Sequence, residues 1–354
     1  MLEKRRRHRE AAIKAWATIR ERKKEERIKG ADKLTKYITP EIIGSIKHPE
    51  VTSEEHENVW TGNGVIKLFS KTPDDIACGP FWEIRWAYGC PLNCSYCYLR
   101  GTMRGRTKPS YVRIEEIKRC VTEAFQHIKR PQIFNSGELS DSLMNPVLMA
   151  DIVDLFEEQD KHKIYLLSKF GINNIGFLLE KPRKQVICGW SINSKDVAKK
   201  WEIGAAIPSD RIEAAGLVWE AGYDTRIRID PIFPIKNWMS HYEQLLDNIF
   251  SALLPNRIIL GTPRGLWKTI NYAKKAGVDM SWTQYFSENT GWGKKLSFEL
   301  RKEIYSFFYD KLKSYNYPIN KISICKETQK MWEELGLKYS SKKCNCYGDD
   351  ALNP

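Results

Sequence analysis

The chain lacks any apolar run near the ~20 residues that a membrane-spanning helix needs, so no membrane partner is expected. It also lacks the pattern of a secretory signal, because charge returns before the basic N-terminus reaches an apolar stretch. Short repeats and low-complexity tracts are absent. Acidic residues are the minority charge, 44 against 57 basic. The nine cysteines are odd in number and sit in a large chain, so a disulfide framework is not expected. What these absences leave is a soluble cytoplasmic protein, in the host cytoplasm if a phage encodes it.

The 354 residues are enough for one large domain or two ordinary ones. The excess positive charge is not spread evenly. Residues 1–30 hold twelve Lys or Arg against five Glu, around Ala11, Ala12, Ile13, Trp16 and Ile19. This reads as a basic amphipathic helical arm. Its natural partner is a polyanion, DNA first, and the alternative is a solvated, solubilising tail. Residues 31–80 read as a linker and entry segment. From 81 to 280 short apolar runs alternate with amphipathic stretches. Strands are expected at 83–88, 132–135, 163–168, 186–192, 226–232 and 257–261. Helices are expected near 113–128, 146–160, 171–181, 208–221, 240–253 and 264–276. Strict alternation means a parallel sheet with right-handed crossovers. Six units make an α/β fold of the incomplete (β/α)6 barrel type. Residues 281–354 form a C-terminal extension, with helices expected near 296–314 and 327–335.

Close cysteines in such a protein point to metal or redox chemistry. Cys90, Cys94 and Cys97 stand as C-x3-C-x2-C directly after the first strand, on a loop at the carboxyl edge where ligands of such sheets sit. A structural zinc site generally takes four protein ligands. A 4Fe–4S cluster can take three thiolates and leave one iron open. A zinc knuckle is the competing reading. Cys120 and Cys188 lie in apolar contexts and read as core residues.

The Cys90/Cys94/Cys97 spacing, the aromatic Tyr96 before the last cysteine and the place after the first barrel strand resemble the radical S-adenosylmethionine (SAM) superfamily. The resemblance implies that SAM binds the open iron, and that its reductive cleavage yields a 5′-deoxyadenosyl radical that abstracts hydrogen. An electron donor such as flavodoxin or ferredoxin is then required. Ser136-Gly137-Glu138 is similar to the superfamily's Gly-Glu element, which assigns Glu138 to the SAM amino group with Ser140 close by. Lys169 at the end of the third strand could meet the SAM carboxylate, and Ser191 and Asn193 at the end of the fourth could reach the ribose.

Within the superfamily, CSYCYL, LLSKF, WSINS and DRIEAAGLVWEAGY with IRIDPIFP resemble the spore photoproduct lyase-like (DNA repair photolyase-like) group. Tyr96 and Tyr98 match the two tyrosines which that group's lyase uses in hydrogen return. One departure stands out. The lyase has a hydrogen-donating cysteine just after the second strand, where residues 134–142 here hold none and Glu138 takes the position. A carboxylate cannot donate a hydrogen atom as a thiol does. The group also includes phage enzymes that rearrange modified thymine during DNA hypermodification. The resemblance therefore implies hydrogen abstraction from a thymine-derived base in DNA, with modification or rearrangement favoured. Repair of a thymine photoproduct, or radical modification of RNA or a peptide, is the alternative. The oligomeric state is left open.

Two further features remain. Cys325, Cys344 and Cys346 form a second group that could hold an auxiliary iron–sulfur cluster or zinc, with Cys78 a conceivable fourth ligand, or could be unligated thiols. Arg226 and Arg228 alternate with isoleucines, so both are expected to point into the barrel and to need anions there, such as phosphate or the SAM carboxylate.

Overall fold

The computed structural model describes residues 2–34, 60–73, 75–106, 108–340, 344 and 346. Residues 35–59 of the expected linker, and 347–354 of the extension, lie outside the described residues. In chain order the main elements are α1 (Leu2–Leu34), β1 (Ile66–Phe69), β2 (Phe81–Ile84), α2 (Ile114–His127), β3 (Ile133–Asn135), α3 (Pro146–Glu157) and β4 (Lys163–Ser168). They continue with α4 (Gly176–Glu180), β5 (Val186–Ser191), α5 (Pro208–Glu220), β6 (Asp224–Ile229), α6 (Trp238–Ala252), β7 (Arg257–Leu260), α7 (Phe298–Ser314) and β8 (Ile322–Ile324).

The strands form one sheet in the order β1-β2-β3-β4-β5-β6-β7-β8. β1 runs antiparallel to β2, and the strands from β2 to β8 are parallel. Sequential parallel order with helical crossovers is how a barrel winds. Among the described strands β1 and β8 do not pair, so the barrel stays open. The six expected strands are all present, as an incomplete barrel. The sheet is longer at both edges than expected, because the entry segment contributes β1 and the extension contributes β8.

Burial explains the strands. Every residue of β5 is buried, and β4 buries four of six. Parallel strands covered on both faces read as near-continuous apolar runs. Helices cover the outside with single apolar faces: α2 buries Ile117, Cys120, Val121 and Ala124 at helical spacing. Cys120 and Cys188 are both buried core residues. Asn145 caps α3 by accepting from Leu148 N at 3.1 Å, with Pro146 in its first turn.

Three local readings differ from expectation. The first strand ends at Ile84, and Ala87–Tyr88 is a separate short strand paired with Ser110–Tyr111. The stretch expected as a helix over 264–276 opens with a strand, Arg264–Leu266, paired to Gly293–Lys295. Glycines permit that pairing, since a Cβ on Gly293 would lie 2.2 Å from Gly265 O. The helix expected at 171–181 splits into a turn at Ile172–Asn174 and the short α4.

The basic N-terminal segment is helical to Leu34 and lies against the barrel. Ala12 and Trp16 are each 5% exposed and join the main core. A Cβ on Gly176 would sit 2.3 Å from Trp16 Cβ, so α4 can approach α1 only with glycine there. Trp16 Nε1 donates to Glu180 Oε2 at 2.7 Å, Arg5 donates to Glu220 and to Ala252 O, and His8 meets Glu213 at 3.2 Å. Part of the basic charge is thus spent on docking this helix. Trp16→Ala should cost about 3–5 kcal/mol in urea unfolding, the range for removing a buried tryptophan, and should expose α1 to limited proteolysis.

Candidate functional site

Strand register gathers the polar residues. Ser168 stands level with Trp190, and Ser191 with Arg228, so Lys169, Ser191, Asn193 and Asp230 emerge together at the carboxyl edge. The cysteine loop folds over that edge. Gly89 turns the chain at φ +88°, a conformation suited to glycine, and its N–H donates to Leu139 O at 2.8 Å. Asn93–Cys94 then pairs antiparallel with Glu202–Ile203, and Ser95 N donates to Trp201 O at 2.8 Å. The buried Arg100 side chain donates through Nε to Cys94 O at 3.0 Å. The loop is therefore held from three sides.

Beneath it lies a buried charged network. Glu202 accepts from Lys169 Nζ at 2.9 Å, from Arg211 at 2.5 Å and from the Tyr96 hydroxyl. Lys169 Nζ also donates to Ser191 Oγ at 2.6 Å, and Arg211 donates to Ser191 O at 2.8 Å. Burial acts to raise the Glu202 pKa, but Lys169 and Arg211 outweigh it and hold the carboxyl at about 2. Asp141 is the opposite case. Burial raises its pKa, although Ser168 Oγ and Lys169 N each donate to it at 2.7 Å.

The three loop thiols are close enough to disfavour one another's ionisation. Burial pushes Cys94 up to about 12, with Glu202 adding. Burial likewise raises Cys90, with Asp141 next, and raises Cys97, which Lys169 and Arg100 oppose. Unligated, the thiols are neutral, so metal binding must expel protons. Among the described residues no three Cys, His, Asp or Glu side chains close to the spacing that a single ion imposes. Zinc ligands lie about 2.0–2.3 Å from their ion, whereas three irons of one cluster need their thiolates set wider. Three thiolates on one loop match the ligand count of a cluster with one open iron, whereas a structural zinc site takes four protein ligands. Ser140 Oγ is buried with no partner, a polar atom awaiting a ligand beside the loop.

The other sequence-derived candidates fall around this mouth. Glu138 accepts from Asn135 Nδ2 at 2.9 Å and from the Tyr98 hydroxyl, which also bonds the Glu138 carbonyl. Lys169 lies 5.9 Å over the Tyr96 ring. The Asn193 side chain is taken up internally, donating to Pro231 O at 2.7 Å and accepting from Tyr242 at 2.8 Å. Glu202 and Arg211 were missed by sequence reasoning. The signal available was a lone acid between Trp201 and Ile203, just before the apolar run Gly204–Ile207. A cavity of about 690 Å³ opens on the outer flank, lined by Glu202 and Arg211 together with Lys4, Arg5, Lys195 and Lys199, and none of the three loop cysteines lines it.

Arg226 and Arg228 find their anions within the protein. Arg226 pairs with Asp224 at 2.7 Å and Arg228 with Asp230 at 2.6 Å, each two residues away on the same face of the strand. Internal carboxylates thus fill the role that phosphate or the SAM carboxylate was expected to play. Burial acts to raise Asp230, but Arg264 and Arg228 hold it at about 2 against an ordinary 3.8. A depressed folded pKa adds stability above the unfolded value and loses it as pH falls. Asp230→Asn should therefore be less stable than the parent at pH 7. That gap should close between about pH 4 and pH 2 in urea titrations.

An open parallel barrel with a three-cysteine loop over its carboxyl mouth is the arrangement of the radical SAM class. The spore photoproduct lyase family pattern matches residues 78–259, and the chain belongs to that family. The spore photoproduct lyase of Bacillus subtilis is 31% identical over 185 residues, covering 49% of this chain and 52% of that protein. The Clostridium acetobutylicum lyase is 28% identical over 207 residues, covering 54% and 60%. The chain thus spans between half and three-fifths of the length of these relatives. Among solved structures, spore photoproduct lyase complexed with dinucleoside spore photoproduct superposes with a TM-score of 0.59 at 19% identity, over 69% of this chain and 75% of that one. A mutant lyase with bound AdoMet and dinucleoside spore photoproduct gives 0.60 at 18% identity, over 74% and 79%. These likenesses support the fold. Among the described residues no helix is long and apolar enough to cross a membrane.

Proposed function

We propose that this chain is a radical SAM enzyme that abstracts hydrogen from a thymine-derived base in DNA, modifying or rearranging that base. The observation that carries the reading is the Cys90/Cys94/Cys97 loop, pinned at the carboxyl mouth by its pairing with Glu202–Ile203. Cys90, Cys94 and Cys97 would hold a 4Fe–4S cluster, and Glu138, Ser140, Lys169 and Ser191 would grip SAM. When bound, cluster and SAM together supply one-electron cleavage to a 5′-deoxyadenosyl radical.

The chain's own residues then act by positioning. Glu202 holds Lys169 and Tyr96 in place and carries the strand that fixes Cys94. Asp141 orients the Lys169 backbone. Tyr98, braced on Glu138, is 37% exposed at the mouth, where a base would enter. DNA as partner is supported by the basic face of α1 and by the family. An external electron donor such as flavodoxin or ferredoxin would feed the cluster from the cytoplasm.

Photoproduct repair is the second reading, favoured by the family match. Against it, residues 134–142 contain no cysteine. The test is DNA carrying perdeuterated thymine or its modified forms. Deuterium should appear in 5′-deoxyadenosine or SAM only with the true substrate. Transfer from labelled RNA or peptide but not from DNA would overturn the DNA assignment.

A further inference from the structure

A second set of thiols lies against the barrel strands. Cys78 precedes β2, Cys325 follows β8, and Cys344 and Cys346 come from the chain beyond the last helix. Ala77 N donates to Glu327 O at 2.8 Å, which lays the Cys78 segment beside the Cys325 segment. The barrel wall offers polar hydrogens to the sulfurs. Arg228 donates to Cys325 Sγ at 3.2 Å, and Asn135 Nδ2 to Cys346 Sγ at 3.8 Å. Ser323 Oγ lies 3.9 Å from Cys344 Sγ, and Arg257 donates to the Cys344 carbonyl at 2.9 Å.

The contacts to sulfur come from β3, β6 and β8, so three strands converge on Cys325, Cys344 and Cys346, and β7 holds the Cys344 backbone. A neutral thiol is a weak acceptor. Several donors aimed at neighbouring sulfurs are instead the surroundings of metal-bound thiolates, whose outer partners orient them and spread their charge. The thiols also feel one another. Cys344 lies close enough to Cys325 and Cys78 to interact with them electrostatically, and Cys346 close enough to Cys344 and Cys325. A thiophilic cation would engage neighbouring sulfurs at once, binding them as thiolates.

We infer that Cys78, Cys325, Cys344 and Cys346 form a four-thiolate metal centre, distinct from the Cys90/Cys94/Cys97 loop, that takes a tetrahedral zinc ion or an iron–sulfur cluster. Both sources use the same ligand chemistry. All four are free thiols in the structure. The centre would tie the C-terminal chain to Asn135, the residue that holds Glu138. The inference does not depend on the radical reading.

The test separates the two sites. The full chain carrying Cys90→Ala, Cys94→Ala and Cys97→Ala is purified anaerobically and analysed for zinc, iron and sulfide. About one zinc, or about four irons with matching sulfide, should remain per chain. Adding Cys344→Ser and Cys346→Ser should remove it. The same serine pair in a chain with an intact loop should leave the loop iron in place. Cobalt titration of the triple-alanine chain needs no further variant, and should give intense thiolate-to-cobalt absorption. A folded triple-alanine chain with neither bound metal nor that absorption overturns the inference. So does metal that survives the serine pair, or a thiol count two short, which would show a disulfide instead.

Discussion

Cys94→Ala should give a folded chain that carries no cluster at the loop and forms no 5′-deoxyadenosine above background. The two effects separate because the residue has two unequal roles. As packing, Cys94 is a small buried side chain, 5% exposed, and removing one sulfur costs about 1 kcal/mol, an ordinary mutational loss. Its backbone keeps the pairing with Glu202 and the bond from Arg100. As a ligand it has no substitute, since a site with three thiolates cannot hold its cluster on two. Cys90→Ala and Cys97→Ala should behave alike. Cys120→Ala and Cys188→Ala, in the core away from the loop, should leave iron content unchanged. Iron and sulfide analysis beside urea unfolding reads both effects in one preparation.

Glu202→Leu should be the most destabilising single change, at about 3–5 kcal/mol. The Glu202 side chain is fully buried, and both Lys169 and Arg211 depend on it as counter-ion. Leucine leaves two cations buried without an anion, which costs more than the pair itself contributed. Glu202→Gln keeps the shape and some hydrogen bonds, and should fall between. The midpoint in urea should drop while the slope stays constant. Cluster occupancy should fall as well, because Glu202–Ile203 is the strand that pins Asn93–Cys94. A double change with Arg211→Leu should recover part of the loss, since one stranded charge is gone.

The barrel was legible because strands buried on both faces are unbroken apolar runs. VICGWS and KIYLLS can hardly be read otherwise. The edge strands were not. Ile322–Ile324 has three residues and gains its identity only by pairing with β7. Arg264–Leu266 reads as the start of a helix until Gly265 and Gly293 are seen to approach. The docking of α1 was hidden because it rests on Ala12 and Trp16 in a charged segment, against a glycine 160 positions away from Trp16. The cysteine loop was legible by spacing alone. Glu202 was not, since its partners Tyr96 and Lys169 lie 106 and 33 residues distant, and only the fold brings them together. The same holds for Arg226 and Arg228, whose inward direction follows from alternation but whose partners do not.

The most direct measurement is anaerobic reconstitution of the full chain with iron and sulfide, followed by SAM and a one-electron reductant. The account predicts a 4Fe–4S signal at the Cys90/Cys94/Cys97 loop that shifts when SAM is added, and 5′-deoxyadenosine that forms only with reductant. A loop that takes zinc and no iron, or a cluster that leaves SAM intact under reduction, would contradict it.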